Sequence, residues 1–81
     1  MSETAPRDAL RLDVTGEYCP KPIIELAKAI KQVEIGETVL VLSTDPGVNT
    51  DMPAWCKATR HELVTLEQRG QVIETRVRRA R

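Results

Sequence analysis

Apolar residues follow two different periods along the first half of the chain. Leu10, Leu12 and Val14 alternate with charged residues, which is typical of a short strand with one buried face. From residue 20 to residue 33 the apolar side chains recur every three or four positions, and this spacing predicts an amphipathic helix. Residues 38–42 form an uninterrupted β-branched and aliphatic run, which predicts a strand near the middle of a sheet.

The connection to the second half contains an Asp-Pro-Gly sequence at residues 45–47. Proline followed by glycine is typical of a type II turn, so we expect the next helix to begin later, with Thr50 or Asp51 as its N-cap. Pro53 then lies in the first helical turn, where no backbone N–H is required. The helix carries one apolar stripe, made of Met52, Trp55, Cys56 and Thr59.

Alternation returns after this helix, at residues 63–66 and 73–77, with a tight turn at residues 68–71 between the two segments. The element order is therefore strand, helix, strand, helix, strand, strand. This order predicts an α+β fold, a two-layer α/β sandwich (β-α-β-α-β-β) with a four-stranded mixed sheet and two helices on one face. We expect residues 10–81 to form this single domain and residues 1–9 to be a short flexible leader.

Composition narrows the functional classes. The chain has 81 residues, and its longest purely apolar run is the four residues 39–42, far short of the roughly 18 needed to span a membrane. Tyr18 and Trp55 are the only aromatic residues among Phe, Tyr and Trp, so a base-stacking surface for single-stranded nucleic acid is not expected. Two cysteines do not make a disulfide framework, and the N-terminal residues contain no secretory h-region. We therefore expect a reduced, cytoplasmic protein and a monomer.

The net charge is zero, but the cations are concentrated toward the end of the chain. Four arginines lie close together there, namely Arg76, Arg78, Arg79 and Arg81. Such a basic end is too small to form a nucleic-acid surface on its own, although it could dock an acidic partner. The alternative interpretation is a solvated strand face followed by a loose terminus.

The most unusual feature of the sequence is Cys-Pro-Lys-Pro at residues 19–22. Pro20 suits the first helical position, and Pro22 still lies within the first turn, whose N–H groups lack helical partners. Pro20 also disfavours helical geometry for the preceding residue, which predicts Cys19 as the N-cap. The positive end of the helix dipole, with Lys21 as a nearby cation, then predicts a lowered pKa for the Cys19 thiol.

The rest of the sequence offers this thiol no catalytic partner. His61 is interpreted as a residue at the C-terminal end of the second helix, where its cationic form suits the dipole. Cys19, Cys56 and His61 lack the close paired spacings of a zinc site, and no metal or other cofactor is expected. A lone nucleophilic thiol suits reactions that pass sulfur between sulfur atoms, because these depend on access and thiolate fraction.

The sequence resembles the TusA/SirA family of small sulfur-carrier proteins from about Leu12 to Val77. The resemblance rests on the Cys-Pro-Lys-Pro motif and on residues in a fixed order around it, which are Asp13, Gly16, Gly36, Glu37, Asp45, Pro46, Asp51, His61, Glu62 and Leu63. It implies the same two-layer sandwich. It also implies that Cys19 carries sulfane sulfur as a covalent persulfide, with Pro20, Lys21 and Pro22 supporting it.

The resemblance further implies a sulfur-donor protein, either a cysteine desulfurase or a rhodanese-like protein, and an acceptor protein such as a TusD/DsrE-like one. The destinations in the family include thiolation of the tRNA wobble uridine, molybdenum-cofactor assembly and sulfur oxidation. Two alternatives stay open. One is a non-catalytic binding or regulatory module that docks a partner through Arg76, Arg78 and Arg79, and the other is thiol–disulfide redox between Cys19 and Cys56.

Overall fold

The computed structural model describes residues 8–81, which form two helices, a short 3₁₀ turn and four strands. Their order is strand, helix, strand, helix, strand, strand, as the sequence predicts. In chain order they are β1 (Leu10–Asp13), α1 (Lys21–Ala29), the 3₁₀ turn (Ile30–Gln32), β2 (Thr38–Ser43), α2 (Val48–Thr59), β3 (Glu62–Arg69) and β4 (Val72–Arg78).

The strands form one mixed sheet in the order β1-β2-β4-β3. β1 and β2 run parallel, whereas β4 is antiparallel to both of its neighbours, β2 and β3. The aliphatic strand β2 is internal, as its sequence predicts. β3 and β4 are joined by a two-residue turn in which Gly70 has a φ of 64°, a conformation that glycine adopts without strain.

Both helices pack against the same face of the sheet, and this confirms the predicted α+β sandwich. Val39 and Val41 of β2 and Val77 of β4 are fully buried beneath Leu26 of α1 and Met52 of α2. Full burial of an aliphatic side chain contributes about 1.5–3 kcal/mol, so these few contacts supply much of the stability that a chain of this size can gain.

The opposite face of the sheet carries ion pairs. Arg78 Nη1 of β4 lies 2.8 Å from Glu62 Oε1 of β3, and Arg76 Nε of β4 lies 3.2 Å from Asp8 Oδ1, before β1. Two of the four arginines of the predicted basic end are therefore paired within the domain. This face is accordingly a charged surface with its charges largely balanced.

The start of α2 differs from the prediction. Gly47 has a φ of −59°, which is helical, so residues 45–47 do not form a type II turn. Asp45 explains the difference, because its carboxylate accepts a hydrogen bond from Gly47 N at 3.0 Å and its carbonyl accepts one from Val48 N at 3.1 Å. The helix therefore begins at Val48, and Pro53 lies inside it rather than in its first turn.

The predicted leader at residues 1–9 falls mostly outside the described residues, which begin at residue 8. Asp8 and Ala9 are bonded to the sheet: Ala9 N donates to Thr38 O at 2.8 Å, and the Asp8 carboxylate accepts from Thr38 Oγ1 at 2.9 Å. Within residues 8–81, neither helix has both the length and the apolar character needed to cross a bilayer.

Candidate functional site

The loops that follow β1 and β2 lie side by side at one edge of the sheet. Because these strands are parallel neighbours, their carboxyl ends meet at that edge, which is where open α/β sheets commonly bind ligands. A hydrogen bond from Gly16 N to Thr44 Oγ1, 2.9 Å long, joins the two loops. The fold thereby brings the segment that carries Cys19 against the segment that begins α2.

Cys19 lies at this edge and is exposed, one residue before the position that the sequence predicts for it. The N-cap of α1 is Pro20, not Cys19, because the Pro20 carbonyl accepts the first helical hydrogen bond, from Ile24 N at 3.0 Å. Pro22 is the second helical residue and is buried. The Cys19–Pro20 peptide bond is cis. Both prolines therefore belong to the start of α1, and Cys19 stands just outside it.

Two aspartates hold Cys19 from the second loop. The backbone N–H of Cys19 donates to Asp45 Oδ2 at 2.6 Å, and its thiol donates to Asp51 Oδ2 at 2.9 Å. Asp45 lies in the turn before α2 and Asp51 lies in the first turn of that helix. The carboxylates thus bond to both the backbone and the sulfur of one residue.

These carboxylates reverse the predicted direction of the thiol pKa. The hydrogen bond to Asp51 raises the pKa of Cys19 above its ordinary value, and partial desolvation and the negative charges of Asp51 and Asp45 raise it further. The helix dipole acts in the opposite sense, but it is equivalent to only about half an elementary charge. Two full carboxylate charges beside the sulfur outweigh it. The resting form of Cys19 is therefore a hydrogen-bonded thiol.

Lys21 does not offset the carboxylates. Its ammonium nitrogen lies 3.9 Å from Glu25 Oε2, one turn further along α1, so the structure directs this cation away from the sulfur. The hypothesis that Lys21 activates Cys19 thus gains no support from the geometry. Among the supporting residues that the sequence indicates, the two prolines shape the start of α1 and the lysine forms an exposed ion pair.

The sequence reasoning missed the role of both aspartates. The local pattern indicates only a turn residue at Asp45 and only a helix cap at Asp51, although both belong to the set of residues that carries the family resemblance. They lie 26 and 32 positions from Cys19, so no local pattern could join them to it. The one available signal was topological, because the loops after two parallel neighbouring strands meet at the same edge.

The second cysteine has a different environment. Cys56 is 3% exposed within the core, and burial raises the pKa of its thiol to about 11. The prediction that Cys56 belongs to a core stripe is confirmed, together with the burial of Met52. A buried, protonated thiol is a poor nucleophile, which weakens the redox alternative.

His61 also differs from its interpretation as a cation at a helix end. It follows Arg60, the C-cap of α2, and its ring stacks on Trp55 with 5.5 Å between ring centroids. Its Nδ1 accepts a hydrogen bond from Ala80 N at 3.1 Å. Burial, with the nearby charges of Arg79 and Arg81, lowers the pKa of His61, so the neutral form is favoured. Within residues 8–81, no cluster of three potential metal-ligating side chains is found.

Two apolar side chains close to Cys19 in the sequence are exposed. Tyr18, directly before Cys19, is 74% exposed, and Ile24 on α1 is 46% exposed. Cys19 therefore combines access for a second molecule with hydrogen bonds that fix its position.

Comparisons with known proteins agree with this arrangement. The chain matches the family described as "Sulfurtransferase TusA" over residues 10–79. A protein of Archaeoglobus fulgidus named "Putative sulfur carrier protein" is 47% identical over 57 residues, which cover 70% of this chain and 78% of that protein. "Putative sulfur carrier protein YrkF" of Bacillus subtilis is 37% identical over 62 residues, which cover 76% of this chain and 34% of YrkF, so the chain spans about a third of that relative.

The fold is also found in a solved structure. The crystal structure of the SirA-like protein from Desulfitobacterium hafniense matches with a TM-score of 0.75 and 25% sequence identity. The match covers 89% of this chain and 99% of that chain. The sequence match and the structural match thus span nearly the whole of the described domain, including the loops that hold Cys19.

Proposed function

The chain belongs to the TusA/SirA family, and from this premise we propose that it is a sulfur carrier that takes up sulfane sulfur as a persulfide on Cys19 and passes it to a cysteine of an acceptor protein. The observation that carries the proposal is the contrast in access between the two thiols. Cys19 is exposed and donates a hydrogen bond to the Asp51 carboxylate, whereas Cys56 is buried in the core.

Loading needs a donor that presents a persulfide. The Cys19 thiol gives up its hydrogen bond to Asp51 Oδ2 and releases its proton to water, and the sulfur then attacks the outer sulfur of the donor persulfide. The donor S–S bond breaks and a new S–S bond forms on Cys19. The inner sulfur of the donor leaves as a thiolate and is then protonated, so a thiol and a persulfide are exchanged without net oxidation.

Unloading is the same exchange in the opposite sense. A thiolate of the acceptor attacks the outer sulfur of the Cys19 persulfide, and the Cys19 sulfur leaves with the electrons of the broken S–S bond. That sulfur then takes up a proton from water and again donates it to Asp51 Oδ2. Because the carboxylates favour the protonated thiol, they also favour completion of this step by trapping the leaving group as a thiol.

The partners follow from the family resemblance. We propose a cysteine desulfurase or a rhodanese-like protein as donor and a TusD/DsrE-like protein as acceptor, in the cytoplasm, with tRNA thiolation, molybdenum-cofactor assembly or sulfur oxidation as the destination. The exposed side chain of Tyr18, the residue before Cys19, offers these partners an apolar contact. The persulfide itself is the only cofactor that the proposal requires.

The alternative of a binding module that docks through its arginines is less well supported. Arg76 pairs with Asp8, Arg78 pairs with Glu62, and Arg79 donates to the Val33 carbonyl at 2.7 Å. A partner would have to displace these contacts before it could use the three guanidinium groups together.

The proposal is tested by incubating the chain with a cysteine desulfurase and cysteine and weighing the intact protein. We expect a mass increase of about 32 Da, one sulfur atom, that a reductant removes. Cys19→Ser should lose this increase while keeping the fold, because an exposed position usually changes stability by less than about 0.5 kcal/mol.

Cys56→Ala serves as the matched control for loss of a cysteine and should load normally. Loading of the Cys19→Ser variant at the wild-type level would refute the assignment of Cys19. Loss of loading in a folded Cys56→Ala protein would instead favour redox exchange between the two cysteines.

A further inference from the structure

A cationic pocket lies at the end of α1 that is remote from Cys19. α1 starts two residues after Cys19 and spans nine residues, a rise of about 14 Å. Beyond its last turn is a cavity of about 380 Å³. The pocket is lined by Ile30, Lys31, Thr59, His61, Arg79 and Arg81.

The positive charge of this pocket is not neutralised by acidic side chains. Within residues 8–81, the ion pairs of the domain involve other cations, and Lys31, Arg79 and Arg81 pair with no Asp or Glu side chain. Glu62 is next to His61 in sequence, but its carboxylate is bonded to Arg78. The pocket therefore holds three cationic side chains that have no acidic side-chain partner among the described residues, and only Arg79 of the three donates to main-chain oxygens.

Arg79 is held in place as part of the wall. Its Nη1 donates to Val33 O at 2.7 Å and its Nε donates to Arg81 O at 2.8 Å. These two bonds to main-chain oxygens fix the plane of the guanidinium group. A fixed guanidinium loses less conformational freedom when it binds an anion than a free one does.

A structural explanation for these cations is that they complement the carbonyl ends of the helices. That role leaves room for a ligand, because the same cationic side chains line an open pocket.

We propose that this pocket binds a small multivalent anion, a molecule carrying phosphate or carboxylate groups, through Lys31, Arg79 and Arg81. Two or more negative charges match the three cations, and a volume of about 380 Å³ suits a small molecule rather than a macromolecular surface. A bound anion also stabilises the protonated ring of His61, so anion binding and protonation of His61 are linked. The groups that face His61 are Trp55 of α2, Arg79 and Arg81 of the C-terminal segment, and the backbone N–H of Ala80.

The test uses two single reporters. The chain has one His and one Trp, and their rings are stacked, so an NMR titration of His61 and the fluorescence of Trp55 both report on the pocket. Inorganic phosphate, pyrophosphate and citrate are added at constant ionic strength, with sodium chloride as the reference. We expect a saturable rise in the titration midpoint of His61 with at least one of these anions.

Two matched double variants distinguish binding of the anion in the pocket from a general effect of the anion on the charges of the protein. Lys31→Gln with Arg81→Gln removes two charges from the pocket, whereas Arg11→Gln with Lys57→Gln removes two exposed charges elsewhere. The pocket variant should bind the anion at least about tenfold more weakly, and the control variant should bind as the wild type does.

The anion that binds identifies the chemistry of the natural ligand. Binding of phosphate and pyrophosphate alone points to a phosphorylated molecule, and binding of citrate alone points to a polycarboxylate. A midpoint that stays at its chloride value with all three anions would overturn the proposal, and so would equal weakening in the two variants. Sulfur loading of Cys19 is independent of either outcome.

Discussion

Cys19 and Cys56 are both held in the protonated form, but by different physical means. Cys56 is protonated because burial penalises a thiolate, and only unfolding or a change in packing can remove that penalty. Cys19 is protonated because two carboxylates lie beside an exposed sulfur, and a substitution, a change of pH or a partner molecule can alter them. The difference shows how one small domain keeps one cysteine unreactive by burial and leaves the other protonated but accessible.

The largest change in the reactivity of Cys19 is expected from a substitution at Asp51. Asp51→Asn keeps the size of the side chain but removes the charge that opposes the thiolate, so the pKa of Cys19 should fall. Each unit by which a thiol pKa falls raises the thiolate fraction about tenfold, so the alkylation rate of Cys19 at pH 7 should rise between about twofold and tenfold. Iodoacetamide labelling followed by mass spectrometry measures this rate.

Glu25→Gln is the matched control for loss of a carboxylate near the start of α1. Its acid pairs with Lys21 and Lys28 rather than with the thiol, so the labelling rate of Cys19 should stay within a factor of two. An unchanged or slower rate in Asp51→Asn would show that Asp51 does not restrain the sulfur.

A second prediction concerns the effect of the Cys56 thiol on the free energy of unfolding at alkaline pH. Its folded-state pKa is about 11, against an ordinary value of 9.0, so the unfolded chain loses this proton first as the pH rises. The stability that the buried thiol contributes is complete below pH 9 and is lost between about pH 9 and pH 11. Urea denaturation of the wild type should therefore show a fall in the free energy of unfolding across this range.

Cys56→Ala should lower the free energy of unfolding by about 1 kcal/mol at pH 7 through a small cavity, and it should reduce the fall at alkaline pH. The same alkaline fall in the variant would assign it to other groups. Both proteins are compared in the Cys19→Ser background, because the pKa of Cys19 is also raised and its titration would add to the alkaline fall.

The smallest effect is expected at Asp45. This aspartate bonds to the backbone N–H of Cys19, and its charge is the weakest of the influences on the Cys19 thiol. Asp45→Asn keeps an acceptor oxygen for the backbone, so the labelling rate should rise less than in Asp51→Asn, by about twofold. A larger rise than in Asp51→Asn would mean that the position of Cys19, rather than the charge beside its sulfur, controls its reactivity.

Local patterns were sufficient for most of the fold and insufficient for the site. The aliphatic run of β2 and the alternation in β4 predict the centre of the sheet, because the buried faces of a strand determine which of its positions are apolar. The predicted start of α2 is wrong because Asp-Pro-Gly is compatible with either a type II turn or a helix start. The hydrogen bonds that the Asp45 carboxylate accepts from Gly47 and Cys19 stabilise the helix start. The sequence motif identified the sulfur, but its protonation state depends on Asp51, which only the tertiary fold brings to it.

The most direct test of whether the carboxylates keep Cys19 protonated is the pH profile of its alkylation in the Cys56→Ala background, where one thiol remains. We expect a midpoint above 9.0, the ordinary value for a cysteine thiol, and a lower midpoint when Asp51→Asn is added. A midpoint below that value in the chain with Asp51 intact would contradict this expectation, because the helix end would then dominate the carboxylates and Cys19 would rest as a thiolate.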